Sequence, residues 1–123
     1  MDIFGDGSCY ILDAPGHLPG HLNLLCRIAD IKDGNTRWVL LAGDACHDRR
    51  LLSGEKEIAV WEEEGRVCCI HADRERAKET LEGLRRLEGG GVEELGEVEV
   101  VLAHDWEWEV EAKRDGRFFP GML

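Results

Sequence analysis

The sequence predicts an α+β fold, a sheet with one long helix packed on it. Three observations carry that expectation. The first half is a series of short apolar segments separated by Gly, Pro and Asp turn signals. Residues 74–88 place Ala77, Leu81, Leu84 and Leu87 on one side at helical spacing, with Arg, Lys and Glu on the other. A further apolar segment, 98–103, follows three consecutive glycines. The chain has 123 residues, 43% hydrophobic and 33% charged, an ordinary globular mix that reads as one domain, 1–123.

Taken in order, Asp6-Gly7 is a hairpin signal, and Cys9-Tyr10-Ile11-Leu12 suits a buried strand. Residues 14–20 hold two prolines and two glycines and must be a loop. Residues 22–28 are apolar and strand-like, and Asp33-Gly34-Asn35 is a turn. Residues 38–42, Trp-Val-Leu-Leu-Ala, form a near-continuous apolar strand, which implies burial on both faces. A short helical piece is expected at 46–52 and a short strand at 67–70, with 53–65 unassigned. Asp73 is the N-cap of the long helix, and Gly89-Gly90-Gly91 ends it. After the strand at 98–103, Trp106, Trp108 and Val110 alternate with Glu107, Glu109 and Glu111. That period of two predicts a last strand with its glutamates in solvent and its tryptophans on the sheet face or walling a pocket.

The net charge is −11, from 15 Lys and Arg against 26 Asp and Glu. So acidic a surface argues against binding nucleic acid or an anionic membrane, both polyanions. No apolar run is long enough to span a membrane, and no signal peptide is readable at the start. Cys9, Cys26, Cys46, Cys68 and Cys69 show no C-x-x-C spacing. Reduced, mostly buried thiols in a cytoplasmic protein are the expectation.

Three strand ends carry the residues suited to chemistry. Gly16-His17-Leu18-Pro19-Gly20-His21 follows the first strand, Gly43-Asp44-Ala45-Cys46-His47-Asp48 the third, and Ala103-His104-Asp105 the strand at 98–103. Pro19 and Gly20 forbid a helix between the two histidines, so loop geometry must place both rings. If the strands are neighbours, His17, Asp44 and His104 converge along one sheet edge, and such a set suits Zn, Mn or Fe(II). Each residue also has a plain reading. His17 could be a hydrogen-bonded turn residue, Asp44 an N-cap for the helix expected at 46–52, and His104 a strand terminus.

Asp13-Ala14-Pro15-Gly16-His17-Leu18-Pro19-Gly20-His21, then Leu41-Ala42-Gly43-Asp44, then Val101-Leu102-Ala103-His104-Asp105 resemble the metallo-β-lactamase superfamily. The likeness is to its lactonase-like hydrolases, particularly fungal-type members, and it runs from about Phe4 to Trp108. It implies that His17 is a ligand to a first metal, that Asp44 bridges two metals and that His104 is a ligand to the second. His21 would orient those ligands. At His47 such members often carry a tyrosine that contacts the substrate carbonyl. A histidine there would polarise the carbonyl or move a proton, or else would be exposed polar surface. The family's main ligand motif, H-x-H-x-D-H, is absent, and His71-Ala72-Asp73 has the wrong spacing for it. The resemblance therefore implies the C-terminal half of the family's αβ/βα sandwich, a mostly antiparallel sheet with one long helix on it.

An intact site of this kind would use Zn, Mn or Fe, possibly as a metal pair, to hydrolyse a small cyclic ester or related acyl bond. Three ligands over two positions would make the half alone weak or inactive. Three alternatives stand: a piece active with a missing N-terminal half, a non-catalytic homodimer whose copies cover each other's sheets, or a degenerate remnant.

Overall fold

The computed structural model describes residues 1–29 and 35–117, and it is α+β. Its elements are β1 (Cys9–Asp13), β2 (Leu22–Ala29), β3 (Thr36–Gly43), α1 (Arg49–Ser53), β4 (Trp61–Glu63), β5 (Arg66–Cys68), α2 (Arg74–Glu88), β6 (Val98–Leu102) and α3 (Trp106–Arg114). The turn expected at Asp33-Gly34-Asn35 lies outside the described residues except for Asn35. No helix among the described residues is long and apolar enough to cross a membrane.

The main sheet has the order β1-β2-β3-β6. β1 pairs antiparallel with β2, and β2 with β3, whereas β3 and β6 run parallel. The sheet is thus mixed, because the chain crosses over through α1, the β4–β5 hairpin and α2 before adding β6. α2 lays Ala77, Leu81 and Leu84 on a core with Leu25, Leu40, Ala42, Val98, Val100 and Leu102. Those strand residues alternate along their strands, so they share one sheet face.

Cross-strand partners on the other face are also apolar. Ile11 opposes Leu24, Leu24 opposes Leu41, and Leu41 opposes Val101. Here Val39 is buried, but Leu41 is 39% exposed and Leu22 is 52% exposed. The strand expected at 38–42 is therefore present and apolar on both sides, with one side incompletely covered.

Four expectations need correction. The segment from Trp106 is helix α3, not a strand. Asp105 accepts a hydrogen bond from the Trp108 backbone N–H at 3.0 Å, Lys113 pairs with Glu109 one turn earlier, and Ala112 is buried. An N-cap, acidic residues in the first turn and Lys113 and Arg114 in the last complete a helix that six alternating residues disguised. The helical piece at 46–52 starts later, at Arg49, because Asp48 caps it by accepting from the Arg50 N–H at 2.9 Å. The strand at 67–70 shrinks to Arg66–Cys68, whose partner is only the three-residue β4, with Val67 exposed. Of the five free cysteines only Cys46 is buried; the other four are half-buried.

Candidate metal centre

The topology brings the ends of several elements to one edge of the sheet. β3 and β6 are parallel, so their C-terminal ends coincide, and antiparallel pairing puts the end of β1 and the start of β2 beside them. His17 and His21 lie in the β1–β2 loop, Asp44 and His47 between β3 and α1, His104 just after β6, and His71 just before α2. All five histidines of the chain meet there.

Asp44 is aimed by backbone geometry. β3 slips register against β6 between Leu41 and Gly43, a bulge that turns the chain at the strand end. Gly43 then has φ +53°, the left-handed region glycine tolerates, and a Cβ there would lie 3.2 Å from His21 Nε2. The Asp44 N–H donates to that same Nε2 at 3.2 Å, so this nitrogen of His21 carries no proton. Asp44 is not a helix cap; that role falls to Asp48. Its carboxylate Oδ1 instead stands 3.0 Å from His104 Nε2 and 3.4 Å from His47 Nε2.

The loop carrying His17 is pinned to the start of α2. The Ala72 N–H donates to His17 O and the Asp73 N–H to Gly16 O, both at 2.9 Å, and the Thr80 hydroxyl donates to Pro15 O at 2.7 Å. Gly16 makes the approach possible, since a Cβ there would sit 2.3 Å from the Ala77 nitrogen. The result is a contiguous set of rings. The His17 centroid is 4.9 Å from His47, 5.5 Å from His71 and 5.9 Å from His21, and His47 stacks on His104 at 5.2 Å.

Among the described residues, two groups have donor atoms close enough to share an ion: Asp44, His47 and His104, and separately His17, His47 and His71. Among the expected residues, Asp44 and His104 therefore meet directly, and His17 reaches them through His47. His21 supports Asp44 from behind. Burial lowers the His47 and His71 pKa values below the ordinary 6.5, and neighbouring histidines lower them further, while Asp44 opposes the shift at His47. Neutral imidazole is the form that binds a cation.

The sequence pattern does not point to His71, and at His47 it points to a substrate-polarising or proton-moving ring or to exposed polar surface, not to a ligand. His71 sits two residues ahead of an N-cap, where a histidine carries no local signal. The Gly16–Asp73 and His17–Ala72 hydrogen bonds bring it here, 5.5 Å from the His17 ring and 5.6 Å from the His47 ring. An open cleft adjoins the edge, lined by His47, Arg49, Arg50, His104 and Trp106. Arg49 donates to Val100 O at 2.9 Å and to Glu88 at 2.7 Å, and approaches Asp105 at 3.6 Å, so α1, α2, β6 and the cap of α3 are tied together behind the cleft.

Comparison with known proteins gives several partial likenesses. The chain is 32% identical over 118 residues to cytochrome P450 monooxygenase mpaDE' of Penicillium brevicompactum, a match covering 85% of this chain and 13% of that protein. It is 50% identical over 52 residues to metallo-hydrolase mfmC of Annulohypoxylon moriforme, covering 42% of this chain and 13% of the relative. It is 41% identical over 46 residues to gamma-lactamase MBL2 of Gibberella moniliformis, covering 37% and 18% respectively. The chain thus spans less than a fifth of the length of these curated relatives. No family model matches the chain, and no solved structure matches it.

Proposed function

We propose that this chain carries part of the metal site of a metallo-β-lactamase-like hydrolase, acting on a small cyclic ester or related acyl bond. The observation that carries the reading is Asp44 Oδ1 held 3.0 Å from His104 Nε2 and 3.4 Å from His47 Nε2 at the joined ends of two parallel strands. The names of mfmC and MBL2 support the same chemical class. A divalent metal held there, Zn, Mn or Fe, would supply Lewis acidity for hydrolysis.

In this reading Asp44 and His104 would hold one metal, and His17 would be a ligand at a first metal position beside it. His21 fixes the Asp44 backbone by accepting its N–H, which sets the direction of the carboxylate. His47 stands against the Asp44 carboxylate and at the cleft mouth, where its ring can polarise a substrate carbonyl or accept a proton. The cleft beside it admits a small-molecule substrate. The ligand set fits a divalent cation: imidazole and carboxylate are borderline and hard donors respectively, and Asp44 Oδ1 is shielded from solvent without a well-formed hydrogen bond.

A second reading has its own observation. The sheet face bearing Leu22, Leu24 and Leu41 is apolar and partly uncovered, as in a half-sandwich that pairs with another half or a second copy. Such a protein would bind rather than catalyse. Hydrolysis decides between the two. The zinc-loaded chain should open small lactones, thioesters or lactams at least about tenfold faster than its Asp44→Asn variant, and a chelator should remove the difference. Equal rates together with equal zinc affinity in the two proteins would reject the hydrolase reading, since the half alone is expected to be weak.

A further inference from the structure

We propose that His17, His47 and His71 form a metal-binding site of their own, taking one borderline divalent cation such as zinc or cobalt. The site does not use Asp44 or His104; it shares His17 with the reading above, while His47 and His71 have no ligand role there. It does not depend on that reading.

The central observation is His71. It is only 5% exposed, yet neither ring nitrogen has a hydrogen-bond partner among the described residues. A neutral imidazole has one donor and one acceptor, and burying both unpaired is unfavourable. Both nearest rings offer the same unmet capacity. Nδ1 of His17 and Nδ1 of His47 are also buried without a partner. Hydrogen bonding within the group does not resolve the set. A metal ion accepts a lone pair from one nitrogen of each ring at once, which satisfies three of these four orphaned atoms.

The geometry agrees. One nitrogen from each of the three residues lies within 4.8 Å of the others. Nitrogens around tetrahedral zinc at about 2.1 Å stand roughly 3.4 Å apart, so modest ring rotations close the site. His47 Nε2 faces Asp44 at 3.4 Å, which leaves its orphaned Nδ1 for this second group. The frame is already rigid. His17 and His71 belong to two segments joined by the Ala72–His17 and Asp73–Gly16 backbone hydrogen bonds. Three imidazoles and no carboxylate favour zinc, cobalt, nickel or copper over magnesium or calcium.

The test is a cobalt and zinc titration of the metal-free 123-residue chain, with circular dichroism to check folding. Cobalt should give the visible absorption of a low-symmetry, nitrogen-rich site at one equivalent. His71→Gln should weaken that binding at least about tenfold, since even loss of an outer partner costs that much. The double variant Asp44→Asn/His104→Gln should keep it. An unchanged affinity in His71→Gln, or loss of the signal in the double variant alone, would overturn the proposal. If His71→Gln fails to fold, histidine-selective nitrogen NMR of the wild type decides. On adding zinc, one ring nitrogen of each of His17, His47 and His71 must shift as a ligand. A spectrum in which His71 does not move rejects the site. The hydrolysis comparison at Asp44 fails or succeeds separately.

Discussion

Asp44 and His21 form the smallest unit of the site, and each depends on the other's backbone or ring. Removing the ring in His21→Ala leaves the Asp44 N–H without its acceptor. The expected cost is about 0.5–1.5 kcal/mol in stability and roughly 10–100-fold in metal affinity, measurable by chemical denaturation and metal titration. Unchanged affinity would show that the carboxylate is aimed without His21. His47 and His71 set a pH dependence in the metal-free protein. Their folded pKa values lie below 6.5, so as pH falls through about 6.5 the unfolded chain takes up protons that the folded chain resists. Stability from these rings is present above that value and is lost as pH falls toward the lowered values. Denaturation midpoints between pH 7.5 and 5 should fall in the wild type and fall less in His71→Gln; parallel curves would contradict the assignment. Of these residues, His17, Asp44 and His104 were legible because each follows an apolar strand. His71 was not, because its neighbours at the site are supplied by backbone contacts from another segment.

Elements explain why the site forms where it does. α2 was legible in full, cap included, because fifteen residues give four apolar turns and one consistent face. α3 was not, because Trp106, Trp108 and Val110 fit a period of two as well as a helix over so short a stretch. What decides is Asp105, whose side chain is almost wholly buried and caps the helix while facing Arg49. Asp105→Ala should cost about 1 kcal/mol or more and reduce helical content, since it removes both the cap and a buried partner of a cation. No loss of helical signal would restore the strand. The close approach of the His17 loop to α2 rests on one glycine. Gly16→Ala places a methyl 2.3 Å from the Ala77 nitrogen at a φ of +131°, so a cost of about 1–3 kcal/mol is expected, together with loss of the His17–His71 proximity. A fully stable variant with unchanged histidine NMR shifts would refute that packing.

The whole molecule is a sheet with α2 covering one face and α3 covering part of the other. Trp108 donates to Glu99 at 2.8 Å, and Arg117 both pairs with Glu99 and lies 5.1 Å over the Trp108 ring, so this corner is well tied. Farther along the same face, Leu22 and Leu41 remain open. The continuous apolar run at 38–42 announced this, since a strand without polar alternation is built for two covered faces. The chain should therefore associate with concentration in analytical ultracentrifugation, and Leu41→Lys should shift it toward monomer. A wild type that stays monomeric at high concentration would show that the open face is tolerated in water. The metal centre proposed at this sheet edge is built from imidazole and carboxylate. X-ray absorption at the zinc edge of the loaded protein tests it most directly. Zinc bound there should have nitrogen and oxygen neighbours at about 2.0–2.1 Å with the outer-shell signature of imidazole. A sulfur neighbour at about 2.3 Å, or no zinc retained after dialysis, would contradict it.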